Sequence, residues 1–156
     1  MADTVREKIL ANLKTALEGL TTGNGYNFDF TAATVQRWSM HGNSTTELPM
    51  ILVSPGDQSQ KPLTNALSQC DMEVLLPAFY KHEPTDSVVT DKRMNQLEGD
   101  IKKIVMVDET RGGNALSTQV TGSSPFESEE DQRYAGIVIE LLIKYRHLTS
   151  DPETAG

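Results

Sequence analysis

The sequence predicts an α+β fold: a twisted antiparallel β-sheet with two helices packed on one face, in the order αβββαββ. Three observations lead there. Residues 134–147, YAGIVIELLIKYRH, alternate with period two. Ala135, Ile137, Ile139, Leu141, Ile143 and Tyr145 form a wholly apolar face, while Tyr134, Val138, Glu140, Leu142, Lys144 and Arg146 form a mixed one. Two other stretches repeat apolar residues at steps of three and four, the helical period. Two helices can cover only one face of a five-stranded sheet, so the mixed face is left open to neighbours.

The first helix is expected over residues 3–20. Thr4 and Glu7 have capping-box spacing, and Val5, Ile9, Leu13, Ala16, Leu17 and Leu20 form the stripe. Gly19, Gly23 and Gly25 end it in a turn, with no preceding strand and no Gly-Lys-Ser/Thr to make a phosphate loop. Residues 26–38 read as a first strand with a slip near Ala32–Ala33. A polar loop from His41 follows, then a short strand at 48–53, LPMILV. Residues 54–68, with Pro55, Gly56 and Pro62, read as a long loop.

Residues 69–81 form the third strand, with Cys70, Met72, Val74, Leu76, Ala78 and Tyr80 on the apolar face. The second helix is expected at 86–107, with Met94, Leu97, Ile101, Ile104 and Val105 facing the core and Glu98–Lys102 as an i,i+4 pair. A turn at Arg111-Gly112-Gly113 leads to a fourth strand, 114–121, and then to an acidic loop, 123–133. The fifth strand, 134–147, would reach about 45 Å at ~3.3 Å per residue, so a bend, bulge or overhang is expected. Residues 1–148 are expected to form one domain, and 149–156 a flexible polar tail.

Composition excludes several function classes. The net charge of −8 argues against a basic nucleic-acid groove. The single cysteine excludes an internal disulfide and fits a reducing compartment. The amphipathic, acid-bearing start is not that of a signal peptide, and there is no run of about 18 apolar residues to span a membrane. His41, His82 and His147 lack metal-ligand spacing and read as surface or loop residues. Cys70 sits on an apolar strand face, where an inert buried thiol is expected. No catalytic residue, cofactor site or metal site is expected. A small hydrolase using Cys70 with His82, or a carboxylate pair, is the competing enzyme reading. Trp38, beside Arg37, is the residue pair most suited to an interface anchor.

Taken in order, KILANLKTAL, then TTGNGY leading into aromatic residues, then LPMILV, then a helix ending in DETRGGNA, and a last strand ending IKYRH resemble the tail terminator (tail completion, minor tail) proteins of long-tailed bacteriophages. The resemblance spans residues 5–147; residues 54–68 and 123–133 fall outside its recognisable pattern. It implies a structural virion protein in the tail or neck, assembled in the host cytoplasm. Such a subunit joins copies of itself into a ring, a hexamer in that family. The ring caps the tail tube, stops its polymerisation and meets the head–tail connector, while DNA passes through without specific binding. A neck or head–tail connector protein is the alternative. The contact residues expected on this basis are Arg37, Trp38, His41, Lys61, Arg111, Phe126, Glu127, Glu129, Glu130 and Asp131. The two long loops, 54–68 and 123–133, are expected to line the DNA path or the outer rim.

Overall fold

The Thr4 hydroxyl accepts the Glu7 N–H at 3.2 Å and opens α1 (Val5–Leu17). The computed structural model describes residues 2–39, 49–81, 90–127 and 134–156. After α1 comes a 3₁₀ turn, Thr22–Asn24, closed by Gly25 at φ 90°. The remaining elements are β1 (Val35–Arg37), β2 (Met50–Pro62), β3 (Leu67–Lys81), α2 (Thr90–Val105), β4 (Ser117–Glu127), β5 (Tyr134–Leu148) and β6 (Asp151–Ala155). The α+β class is as expected, but the sheet is curled and mixed, with six strands. Its order is β1-β2-β3-β5-β4, and β6 pairs with the end of β5.

β5 pairs with β3 in unbroken register from Tyr134↔Lys81 to Leu148↔Leu67. Of the bend, bulge or overhang expected from its length, no overhang occurs, because two strands share its other edge, where the register is irregular. β4 pairs with Ala135 through Lys144, and β6 pairs with His147 and Leu148. The one irregularity in the β4 pairing falls on β4, between Val120 and Gly122. The inner face of β5 is buried from Ala135 to Tyr145 and joins one hydrophobic cluster with Leu13 and Leu17 of α1 and Leu97 and Ile101 of α2. Both helices therefore pack on the same face.

Four expectations are corrected. Residues 26–34 are not a strand. Side-chain hydrogen bonds hold them instead: Asp29 accepts the Thr22 N–H at 2.7 Å, Asp100 of α2 accepts the Asn27 N–H at 2.7 Å, and Thr34 accepts the Thr31 N–H at 2.8 Å. This bent segment drives Phe28 and Phe30 into the core, where Phe28 lies 5.8 Å from the Tyr80 ring. Second, the chain therefore enters β1 from a turn, and β1 runs parallel to β2, with Val35 beside Ile51, so the sheet is not wholly antiparallel. Third, residues 54–68 are not a long loop but the second half of β2, a tight hairpin and the start of β3. Thr64 ties the hairpin by accepting the Ala66 and Leu67 N–H groups at 3.1 Å. Fourth, the tail is not frayed: β6 pairs with β5, and Lys8 Nζ donates to the Glu153 carbonyl at 2.8 Å. The expected acidic loop at 123–133 is also corrected in part, since residues 123–127 extend β4; residues 128–133, the expected start of α2 at 86 and the loop from His41 lie outside the described residues.

Gly136 is constrained by its neighbours on both sides. A Cβ there would collide with the Ala78 carbonyl and the Phe126 ring. Phe79 and Phe126, its cross-strand neighbours, close over it with ring centroids 5.0 Å apart, edge to face.

Replacing Ile139 by Ala should lower stability by roughly 2–5 kcal/mol in urea unfolding, since its side chain is fully buried under both helices. A loss below about 0.5 kcal/mol would mean that the other face of β5 carries the core.

Candidate interaction surface

The sheet leaves two kinds of surface without a partner among the described residues. One is its pair of edges. β1 pairs only with β2, and β4 pairs only with β5. Residues 117–126 of β4 carry no charged side chain, so this edge lacks the lysines that usually keep a strand edge from pairing. Beside it lies an open groove lined by Lys102, Met106, Gln119 and Val120. Among the described residues, the exposed Met106 and Val107 follow the end of α2, and the exposed Leu116 immediately precedes β4. The other surface is the outer sheet face, where Leu75 is exposed and lines a shallow depression with Glu73, Thr121, Glu140 and Leu142.

The expected contact residues are not brought together. Trp38, just past the β1 edge, is 61% exposed, and its N–H donates to the Val53 carbonyl at 3.2 Å. Arg37 forms a two-armed ion pair with Glu7 of α1, one arm at 3.0 Å. The hydrogen bond from Arg37 holds the Glu7 carboxyl below its ordinary range. Lys61 is exposed near the β2–β3 hairpin. Phe126 is half-buried against Phe79 on the outer face near the end of β4. Glu127 is the last residue of β4, paired with Ala135. His41, Glu129, Glu130 and Asp131 lie outside the described residues.

Arg111 is the clear correction, since its side chain is fully buried and offers no surface. Three successive residues in the left-handed region, Arg111, Gly112 and Gly113, turn the chain after α2. The turn folds Arg111 back under the helix end, where Nη2 donates to the Val105 and Asp108 carbonyls. A cation at a helix C-terminus is favoured by the helix dipole. Burial lowers its pKa, and Asp108 opposes that shift. The Asp108 carboxylate, which accepts from the Thr110 hydroxyl and from the Thr110 and Gly112 N–H groups, is held low.

His147 corrects a second expectation: it is 8% exposed, on the core side of β5. Cys70 is fully buried, and burial pushes its thiol pKa up, which keeps it protonated. Its β5 partner is Tyr145, whose hydroxyl donates to Gln58 Oε1 at 2.9 Å. Burial, with Cys70 beside it, pushes the Tyr145 pKa up to about 12. His82, the base of the hydrolase reading, lies outside the described residues. Among the described residues no group of His, Cys, Asp and Glu could hold a metal, and no helix is long and apolar enough to cross a membrane.

Two measurements follow from these buried groups. Arg111→Ala should cost roughly 1.5–3 kcal/mol in urea unfolding, the usual scale for charge-assisted hydrogen bonds; a change within about 0.5 kcal/mol would show that the cap contributes nothing. The Tyr145 proton leaves the unfolded chain near pH ~10 but the folded one near 12, so the native state binds more protons in that window. Stability should therefore fall as pH rises from about 10 to 12, by on the order of 2–3 kcal/mol from this residue. Unfolding midpoints of the wild type and Tyr145→Phe, followed across that range, should converge; parallel curves would contradict the burial effect.

No family model matches the chain, and no curated protein matches it significantly.

Proposed function

We propose that the protein is a structural subunit of a long-tailed bacteriophage virion, a tail terminator that forms a ring on the end of the tail tube. In this reading the ring halts tube polymerisation and presents a surface to the head–tail connector. The protein is not an enzyme, and its partners are its own copies, the tube protein and the connector. The phage family enters through the resemblance carried by KILANLKTAL, TTGNGY, LPMILV, DETRGGNA and IKYRH.

The observation that supports it best is the layout of the edges. β1 and β4 stand at opposite ends of the sheet order. One ends beside exposed Trp38, and the other is a neutral strand beside the Met106–Val120 groove. Two unlike surfaces on opposite sides of one subunit make a head-to-tail interface, which closes into a ring when its rotation permits and otherwise grows as a filament. The surplus of acidic residues suits a bore through which DNA slides, because each cation presented to phosphate would add affinity.

Native mass spectrometry of the protein mixed with purified tail tubes, with imaging of the tube ends, tests this. The expected result is a closed ring of fixed copy number, seated on tube ends and blocking further elongation. Rings that ignore tubes and bind the head connector alone would favour the neck-protein alternative. Turnover of a hydrolase substrate, lost in Cys70→Ser, would replace the structural reading with the enzymatic one.

A further inference from the structure

At the hairpin end of the sheet polar residues join the apolar ones at the inner register positions. Successive inner rungs read Gln58–Met72–Ile143, then Gln60–Cys70–Tyr145, then Ser68–His147. Between these strands and the first turn of α1 lies a cavity of about 270 Å³, lined by Thr4, Arg6, Gln58, Gln60, Tyr145 and His147. Gln58 and Arg6 are half-buried and His147 is buried, and polar groups taken out of water lose free energy unless they are hydrogen-bonded; Gln60 stands exposed at the rim.

The hydrogen bonds around the cavity are incomplete in one direction. Gln58 Oε1 accepts from Arg6 Nη1 at 3.0 Å and from the Tyr145 hydroxyl at 2.9 Å. Its oxygen is thus occupied, and its amino group has no partner among the described residues. Neither the Gln60 side chain nor the other N–H groups of Arg6 meet a partner among the described residues. His147 Nδ1 lies 2.7 Å from the Leu148 carbonyl, which can only accept, so Nδ1 carries the proton. In the neutral form of this buried ring Nε2 is then an acceptor, and it has no partner among the described residues. Among the described residues, Arg6 is the only charged side chain lining the cavity. The Asp151 carboxylate, held low first by the Thr154 hydroxyl, already accepts from the Glu153 N–H at 3.0 Å and the Thr154 hydroxyl at 2.6 Å.

We propose that this cavity binds a phosphate group, free or carried by a small molecule. Its ionised oxygens would take the Arg6 guanidinium and the glutamine amino groups, and a protonated oxygen would donate to His147 Nε2. A hydrogen phosphate or a monoester in its singly charged form has both kinds of oxygen. Sulfate, with no hydroxyl, leaves His147 without a partner, and acetate does the same with fewer acceptors.

The test is NMR titration of the full chain with inorganic phosphate, glycerol phosphate, sulfate and acetate. The reporters are the Arg6 Nε–H, the Gln58 and Gln60 side-chain amides and the His147 ring. Saturable shifts confined to these groups are expected with phosphate, and affinity should be several-fold weaker for sulfate and acetate. Tighter binding of glycerol phosphate than of inorganic phosphate would identify a small phosphorylated molecule as the ligand; the reverse would identify the free ion. Arg6→Gln should weaken phosphate binding by about tenfold or more, the scale of one charge-assisted hydrogen bond. Gln60→Leu, which fills rather than empties the site, should weaken it several-fold and decides the matter where Arg6→Gln fails to fold. The proposal is overturned if phosphate gives no saturable shift, if sulfate and phosphate bind alike, or if folded variants bind as well as the wild type.

Discussion

The pairing of β5 along both edges is the constraint on which the other elements depend. Each of its inner residues from Ala135 to Tyr145 is buried, and its neighbours are fixed over its whole length, β3 on one side and β4 followed by β6 on the other. A shift of one residue in either pairing would turn Ile137, Ile139, Leu141 and Ile143 outward and Glu140 and Lys144 inward. Burying those charges without partners costs far more than any hairpin turn could offset. The apolar stripes of α1 and α2 then have one place to go, the face that β5 presents.

That constraint explains why the structure tolerates irregularity elsewhere. The segment between the Thr22–Asn24 turn and β1 has no ladder partner, yet Phe28 and Phe30 fill the core beside Tyr80. Asp100 of α2 anchors it through both the backbone and the side chain of Asn27, at 2.7 and 2.8 Å. A buried carboxylate on a helix stripe would be a defect by itself. Here two donors satisfy it, and it ties helix to loop. Arg111 plays a related part at the C-terminal end of α2, joining the Val105 carbonyl to the turn that launches β4.

The inner sheet face thus divides into two regions. Over most of its area it is aliphatic and covered by two helices. Towards the β2–β3 hairpin α1 begins, and the rungs become Gln58, Gln60, Ser68 and His147. Ser68 finds Thr149 at 3.1 Å, and Tyr145 and Arg6 share Gln58, but the donors and acceptors facing the cavity outnumber their protein partners. The outer face and the β4 edge differ from this in kind, being apolar or neutral and open, surfaces suited to covering by another chain.

The sequence alone determined the elements whose periodicity is strong: α1 with its Thr4 cap, β3, β5, the body of α2 and the α+β class. Their patterns are set by burial of one face, which local spacing records directly. It also marked the Arg111-Gly112-Gly113 turn, because glycines tolerate positive φ. Tertiary structure decided the rest. The second half of β2 looks like a loop because Gln58 and Gln60, opposite Met72 and Cys70 in the register, are polar, and they line a cavity that only the meeting of α1 and the sheet creates. Residues 26–34 look like a strand because aromatic alternation signals one, but backbone N–H groups donating to the side chains of Asp29, Thr34 and distant Asp100 bend them. Burial of Arg111 and His147 was equally hidden, since each depends on a neighbour far away in sequence or on a backbone turn. β6 carries no apolar pattern and exists because β4 stops short of the end of β5, leaving backbone groups that another strand must satisfy.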